Sequence, residues 1–454
     1  MNIILMVFDS LRKDCIGCYG KPYWGEVKTP NFDALAKESL MMTRAYPESL
    51  PTLPTRRALY TGKRTYPFDK GNFWLKGDFY GFPGWGAIPE DQPTLAEMLS
   101  EAGYRTALVS DVCHMFKPSK NFTRGFNQWT FLRGNETDSA RSGPALTEKE
   151  VEAWVHESIR TPRWMTWARD AVMNMKGRVH EEDYCNARVL IEASKWIEEN
   201  QDAKNFFLTI ESFDPHEAWF VPEYYRRMYD NSDSFNQVLS FYEEDCALPE
   251  PLRVRTRANY SGLVTMCDRW FGHLMDTLRA TGRLDDTLII FTSDHGHSIF
   301  DRNYIGKRPY PSTPEVYDIP ILIRHPEGIG AGKKSDMYVQ HHDISAVIME
   351  AAGVKPVEPM DGIPFYKAAL EGGAPIRDHV TVGWGSTPTV IKDNWWLNCK
   401  VDGTGVLLRD LSVNDPFAAN VADKYPEVVD ELFAMALKDA DGKIPDWLFD
   451  YDWP

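Results

Sequence analysis

The chain has 454 residues, 43% of them hydrophobic and 13% aromatic, with 50 Lys+Arg against 66 Asp+Glu for a formal charge of −16. This apolar content supplies a sizeable core and excludes a disordered chain, while the acidic balance argues against nucleic acid as a bulk electrostatic partner. No stretch approaches ~18 consecutive apolar residues, and the opening MNIILMVFDS has neither the basic start nor the long apolar run of a secretory signal. No membrane partner and a cytoplasmic location are therefore expected. An anionic small substrate stays compatible, because a metal or a few cations can reverse the local field.

In chain order, NIILMVF is a continuous apolar run ending at Asp9, the pattern of a strand buried on both faces of a parallel sheet. TPNFDALAKES reads as a helix. TLAEMLSEAGYRTALVSD is helix, glycine stop, strand; YCNARVLIEASKWIEEN and NFFLTIESFDPH repeat the pair, as does the segment from Tyr260 to Gly296. YDIPILIRHP adds a strand. Strands alternating with helices predict an α/β fold with a mainly parallel sheet flanked by helices. Ligands of such sheets sit beyond the carboxyl ends of the strands, where Asp9, Asp111, Asp214 and Asp294 all fall, so the four are expected to share one rim.

Residues 135–180, rich in Trp and Met, read as a helical insertion that serves as core or subunit contact in preference to a lid. From about residue 371 the pattern changes to short alternating strands (HVTVGW, TVIKDNWWLNCKV, GVLLRDL) with a helix, YPEVVDELFAMALKDA, and an aromatic tail that docks on a surface. The expected division is residues 1–370 as the catalytic domain and 371–454 as a small α+β subdomain with an antiparallel sheet, in a homo-oligomer. Cys15 and Cys18 form a CxxC, but no second pair follows at zinc-finger spacing, so the seven cysteines are read as buried, reduced thiols.

Two stretches carry chemistry. In FTSDHGHS, Asp294 offers a hard oxygen and His295 an imidazole nitrogen just past a strand, and Asp9 at another strand end raises the case for a cation. In ESLPTLPTRRALYTGK, Thr52 stands at an apparent helix start with Arg56 four residues on, hence on the same face. Thr52 is either a helix cap or, with Arg56 and the helix amide end, part of a seat for a tetrahedral oxyanion.

Together VFDSLRKDCIGCYG, TPNFDALAKES, TLPTRRALYTGK, GYRTALVSD, FDPHEAW, TSDHG, YDIPILIRHP and LSVNDPFAANVADKYPEVV resemble, in order and spacing, the sulfatases of the alkaline phosphatase superfamily, which also includes phosphonate monoester hydrolases and phosphodiesterases. The resemblance spans nearly the whole chain. It implies an alkaline-phosphatase-like fold and places Thr52 where sulfatases carry the Cys or Ser converted to formylglycine. It implies one divalent metal held by Asp9, Asp294 and His295 with Thr52 as a further ligand, Arg56 holding the nucleophile region, and His216 and Lys307 binding the anion.

Four features depart from the family pattern. Thr52 cannot enter the formylglycine pathway, which needs Cys or Ser. Ser10 stands where many sulfatases have a second Asp ligand, an Asp that phosphonate monoester hydrolases also lack. VSDVCHMF replaces the usual Gly-Lys-Trp-His, leaving His114, displaced by one position, as a partial substitute. His295 for the common Asn shifts the metal preference from Ca²⁺ or Mg²⁺ towards Mn²⁺ or Zn²⁺.

A threonine has one hydroxyl and cannot expel sulfate as a formylglycine hydrate does, whereas a phosphoryl adduct can be opened by water. The expected activity is therefore metal-dependent hydrolysis of small anionic phosphate or phosphonate esters, mono- or diesters, with Thr52 as nucleophile activated by the metal and His216 or His114 as leaving-group donor. The alternatives are a sulfuric ester hydrolase, a catalytically silent binding protein, and a phosphoethanolamine transferase, whose known relatives are membrane-tethered. Asp214, His297, His341 and His342 are held as donors for a second cation, against the competing assignment of hydrogen-bonded histidines beside strand ends.

Overall fold

The computed structural model describes residues 1–68, 83–117, 120–235, 242–244 and 248–451. Residues 69–82, most of the aromatic stretch DKGNFWLKGDFYGFPGWGAIPED, lie outside them, as do the last three residues of the tail.

The first five strands are β1 (Asn2–Phe8), β2 (Leu40–Tyr46), β3 (Arg105–Ser110), β4 (Gln128–Phe131) and β5 (Phe206–Ser212). They join Thr287–Ser293, Ile321–Arg324 and Lys334–Gln340 in one eight-stranded sheet. Its order is Lys334–Gln340, β2, Ile321–Arg324, Thr287–Ser293, β1, β5, β3, β4. All pairings are parallel except those of Ile321–Arg324, which runs antiparallel to both neighbours. The expected mainly parallel α/β sheet is what the chain forms.

β1 is buried along its whole length, and its alternation divides the core. Ile4, Met6 and Phe8 pack under α1 (Pro30–Lys37) and the helices Cys185–Glu199 and Glu250–Ala280, while Ile3, Leu5 and Val7 face α2 (Thr52–Thr61), α3 (Leu95–Glu101) and the helix His341–Ala352. With both faces covered, a strand run carries no alternation of polar residues, which is why these strands read as continuous apolar segments.

Register sets the site. Phe8 is level with Ser212 on one side and Ser293 on the other, so Asp9 and Asp294, each one residue further, emerge from the same rim. Glu211 is level with Val7 and Ser110.

The carboxy-terminal strands Val380–Val382, Thr389–Lys392, Trp395–Asn398 and Leu407–Asp410 form the expected antiparallel sheet, with Pro426–Asp439 packed on it through Leu432 and Ala436. This sheet also supports the start of α2. Gly383 N–H donates to the Glu48 carbonyl at 2.9 Å, and its carbonyl accepts from Leu50 N–H at 2.7 Å. Leu50 is buried in a cluster with Trp384 and Trp396. The tail docks as expected, with Leu448 buried against Tyr66 and Phe68.

Residues 148–152 and 162–175 are helical, as expected of the insertion, and Ala168, Ala171, Val172 and Met173 bury into the main core. Cys15, Cys18, Cys113, Cys185, Cys267 and Cys399 are free thiols, all buried except the half-buried Cys18. No helix among the described residues is long and apolar enough to cross a membrane.

Candidate active site

Asp9, Asp294 and His295 meet at the sheet rim, each fully buried, with one donor atom apiece lying within 4.8 Å of the others. Burial and the neighbouring Asp294 raise the Asp9 carboxyl well above its usual range. Asp294 is held low against its own burial by His295, then Arg56. His295 Nδ1 lies 2.9 Å from the Gly296 carbonyl, so it carries the proton and leaves the Nε2 lone pair facing Asp294 Oδ2 at 3.4 Å. That buried Nε2 has no hydrogen-bond partner. Gly296 is required here because a Cβ would stand 2.1 Å from the Glu315 carbonyl oxygen.

Arg56 ties this group to α2. Its Nη1 sits 2.7 Å from Asp294 Oδ2, 3.0 Å from Asp9 Oδ2 and 3.1 Å from the Thr52 carbonyl oxygen. Nε and Nη2 take Glu211 Oε2 at 3.0 and 2.9 Å, and Tyr60 donates to Glu211 Oε1 at 3.0 Å. Three carboxylates thus face one guanidinium in a fully buried space, a formal surplus of two negative charges. A divalent cation is the charge this cluster lacks, and the unpartnered His295 nitrogen with two carboxylates is a donor set that fits one.

Thr52 is the first residue of α2 and 4% exposed. It is not the cap: Pro51 holds that position, without a side-chain bond to the helix. Proline has no side-chain acceptor, so the helix start is left without the usual protein cap. Gly62 closes α2 in the left-handed region at φ 69°, where a Cβ would also strike Met360 at 2.8 Å.

Lys307 Nζ lies 2.8 Å from His216 Nε2 and 3.4 Å from Ser10 Oγ. His216 Nδ1 lies 2.9 Å from the Glu217 carbonyl, so Nε2 is the acceptor of a Lys307 proton. Burial holds the imidazole pKa well below its ordinary value. His216 is thus placed to orient Lys307, and the expected role of leaving-group donor does not suit this arrangement. Ser10 does not fill the place of a second carboxylate ligand; its hydroxyl donates to Asp9 Oδ1 at 3.0 Å.

Asp111 and Asp214 stand on this rim but, like His297, His341 and His342, do not join this centre. Asp111 and Asp214 are bridged by Asn135 Nδ2 at 2.9 and 3.2 Å, and they also accept from the Phe213 and Asn186 backbones. His297 faces Glu217 Oε2 at 3.3 Å, His341 Nε2 lies 2.8 Å from the Ser293 carbonyl, and His342 abuts Asp343. Asp111 and the four candidate donors for a second cation are thus engaged by protein groups, and no second cation cluster forms from them among the described residues. His114, Cys113 and Glu136 do cluster, all buried, with the His114 ring against Phe213, which stacks on His216.

Burial pushes His341 down to about 4 and His342 well below its ordinary value. Each gains its proton in the unfolded chain below about pH 6.5 but stays neutral when folded. Their contribution is complete above that pH and is lost as the pH falls towards the folded value, by up to about 1.4 kcal/mol per pH unit for each. His342→Gln is expected to flatten the loss of stability between about pH 6.5 and 4.5 in urea titrations; a slope equal to wild type would contradict this.

Sequence reasoning missed Glu211, Glu217 and Glu136. Glu211 carried a usable signal: a carboxylate inside an apolar strand must have a partner. Glu217 draws together His216, His297 and Lys307, at 3.3, 3.3 and 3.8 Å, and accepts from Tyr242 at 2.6 Å. Its signal was adjacency to His216 in FDPHEAW.

A sulfatase profile matches residues 1–354. The arylsulfatase of Clostridium perfringens is 22% identical over 97% of this chain and 95% of its own length. The multifunctional alkaline phosphatase superfamily protein PehA of Trinickia caryophylli is 24% identical over 82% of this chain and 77% of its own. Among solved structures, the phosphonate monoester hydrolase of Agrobacterium radiobacter superposes with a TM-score of 0.72 at 21% identity, covering 99% of this chain and 97% of that one. With three quarters of its length matched by that profile and an alkaline-phosphatase-like fold around the rim, the chain belongs to the sulfatase family of ester hydrolases.

Proposed function

We propose that the chain hydrolyses small anionic phosphate or phosphonate esters, with Thr52 as the nucleophile. The carrying observation is a buried threonine at the start of α2, whose backbone is tied by one guanidinium to the Asp9–Asp294 pair. Asp9, Asp294, His295 and Thr52 would hold a divalent ion, with Mn²⁺ or Zn²⁺ suited to the imidazole donor. When bound, it supplies Lewis acidity and the charge that favours the deprotonated threonine oxygen. Arg56 fixes the approach of residue 52. Lys307, oriented by His216 and Glu217, offers its remaining protons to the non-bridging oxygens, where transition-state charge gathers. Water then opens the adduct at phosphorus and restores Thr52.

The second reading is a sulfatase, favoured by the arylsulfatase relative and opposed by the residue at 52, whose one hydroxyl gives no route to expel sulfate without attack at sulfur. A silent binding protein is opposed by the intact buried set of Asp9, Arg56, Asp294, His295 and Lys307. The test is a panel of phosphate mono- and diesters, phosphonates and aryl sulfates, run before and after chelation. Phosphorus esters are expected to turn over faster than sulfates, with activity lost on metal removal and regained with Mn²⁺ or Zn²⁺. Thermal stability should fall on chelation, by about 2.7 kcal/mol if the metal had been present at a hundred times its Kd. Faster turnover of sulfates, or full activity without metal, would contradict the proposal.

A further inference from the structure

Glu136 is buried with an Oε2 that has no hydrogen-bond partner, 3.8 Å from His114 Nε2. It stands at φ 44°, a left-handed conformation that a glutamate occupies only when its surroundings enforce it. Those surroundings are specific. Asn135 accepts from the Glu136 N–H at 2.9 Å through Oδ1 while its Nδ2 bridges Asp111 and Asp214. From the insertion helix, Asn174 donates to the carbonyls of Glu136 and Asp138 at 2.9 and 2.6 Å, and Trp167 bonds the Glu136 side chain. The two rim aspartates that do not reach the metal cluster thus hold up the loop that presents Glu136.

This carboxylate belongs to the anion pocket. Burial pushes it up, the His114 charge pulls it back, and the charges of Glu217 and Lys307 reach it. His114 packs edge-on against Phe213, which also stacks on His216 at 4.2 Å, the ring that orients Lys307.

We infer that Glu136 is a positioning residue that pairs with His114, and that His114 is the group giving the leaving oxygen its proton. The inference rests on the hydrolase reading above. In the first displacement the deprotonated Thr52 oxygen bonds to phosphorus. The bond from phosphorus to the leaving oxygen breaks with its electron pair on that oxygen, which takes the proton of the His114 imidazolium. In the second, water gives a proton to neutral His114 as its oxygen bonds to phosphorus, and the bond to Thr52 breaks with the pair returning to the threonine. Glu136, ionised, balances the imidazolium in each resting state.

The test is leaving-group dependence on metal-loaded full-length enzyme. A departing oxygen that is already a stable anion needs no proton, so a dinitrophenyl ester should be almost indifferent to the dyad while a phenyl or alkyl ester is not. Glu136→Gln is expected to lower kcat/KM by ~10²-fold on the phenyl ester and by less than about threefold on the dinitrophenyl ester. His114→Gln should give the same profile, and the double variant little further loss. Glu136→Asp, which retracts the charge by one methylene, should fall between and carries the test alone if Glu136→Gln does not fold. An equal loss on both esters would overturn the dyad and leave the hydrolase reading standing. Wild-type enzyme that turns over no phosphorus ester would overturn both. Loss of one equivalent of bound metal in Cys113→Ser would assign the Cys113–His114–Glu136 cluster to a cation and overturn the proton-transfer role.

Discussion

Thr52→Ala is expected to lower kcat by at least ~10³-fold on the best phosphorus ester while leaving the fold and the bound metal in place. The side chain makes no cap bond to α2, so its removal should cost less than about 1 kcal/mol of stability. Asp9, Asp294 and His295 remain as three donors. Thr52→Ser, which keeps a primary hydroxyl at the same place, should retain most of the turnover. Steady-state kinetics with metal analysis checks this: an alanine variant with turnover near wild type would remove Thr52 from the chemistry, whatever the geometry around it.

Arg56→Met is expected to have the largest effect on stability. The guanidinium is fully buried and is the partner of Glu211, Asp294 and Asp9 at once. A methionine fills much of its volume but leaves those carboxylates without their cation, and breaking a buried pair costs about 3–5 kcal/mol. That is a large part of the 5–15 kcal/mol that holds a typical domain together. Soluble yield and melting temperature should fall sharply. Arg56→Met with Glu211→Gln should recover part of the loss, because it removes one of the stranded charges. A melting temperature for Arg56→Met within a degree or two of wild type would show that the carboxylates are balanced by something else.

Several features of the fold were legible for a physical reason. A strand covered on both faces must be apolar throughout, so NIILMVF and TLIIF announced themselves, and the aspartates just beyond them marked the rim. The direction of Ile321–Arg324 was not legible, because an apolar run looks the same whichever way it pairs. β2 went unread because Thr43 and Arg44, half-exposed in the structure, interrupt its apolar pattern. Asp9, Asp294 and His295 were brought together as expected. Asp111 and Asp214 stand on the rim but outside the Asp9–Asp294–His295 group, because position at a strand end does not say which way a side chain turns; Asn135, distant from Asp214 in sequence, captures both. Glu136 gave no signal at all. It sits in a polar loop, RGNETD, and only the folded chain shows that its backbone is held in the left-handed region with its carboxylate at His114.

In the proposed reaction residue 52 takes the phosphoryl group before water does. Hydrolysis of a phosphorus ester made chiral at phosphorus with sulfur and oxygen isotopes measures this directly, since each in-line displacement inverts the centre once. Two displacements through Thr52 predict net retention of configuration in the product. Net inversion would mean that water attacks in a single step, and Thr52 would then have no covalent role.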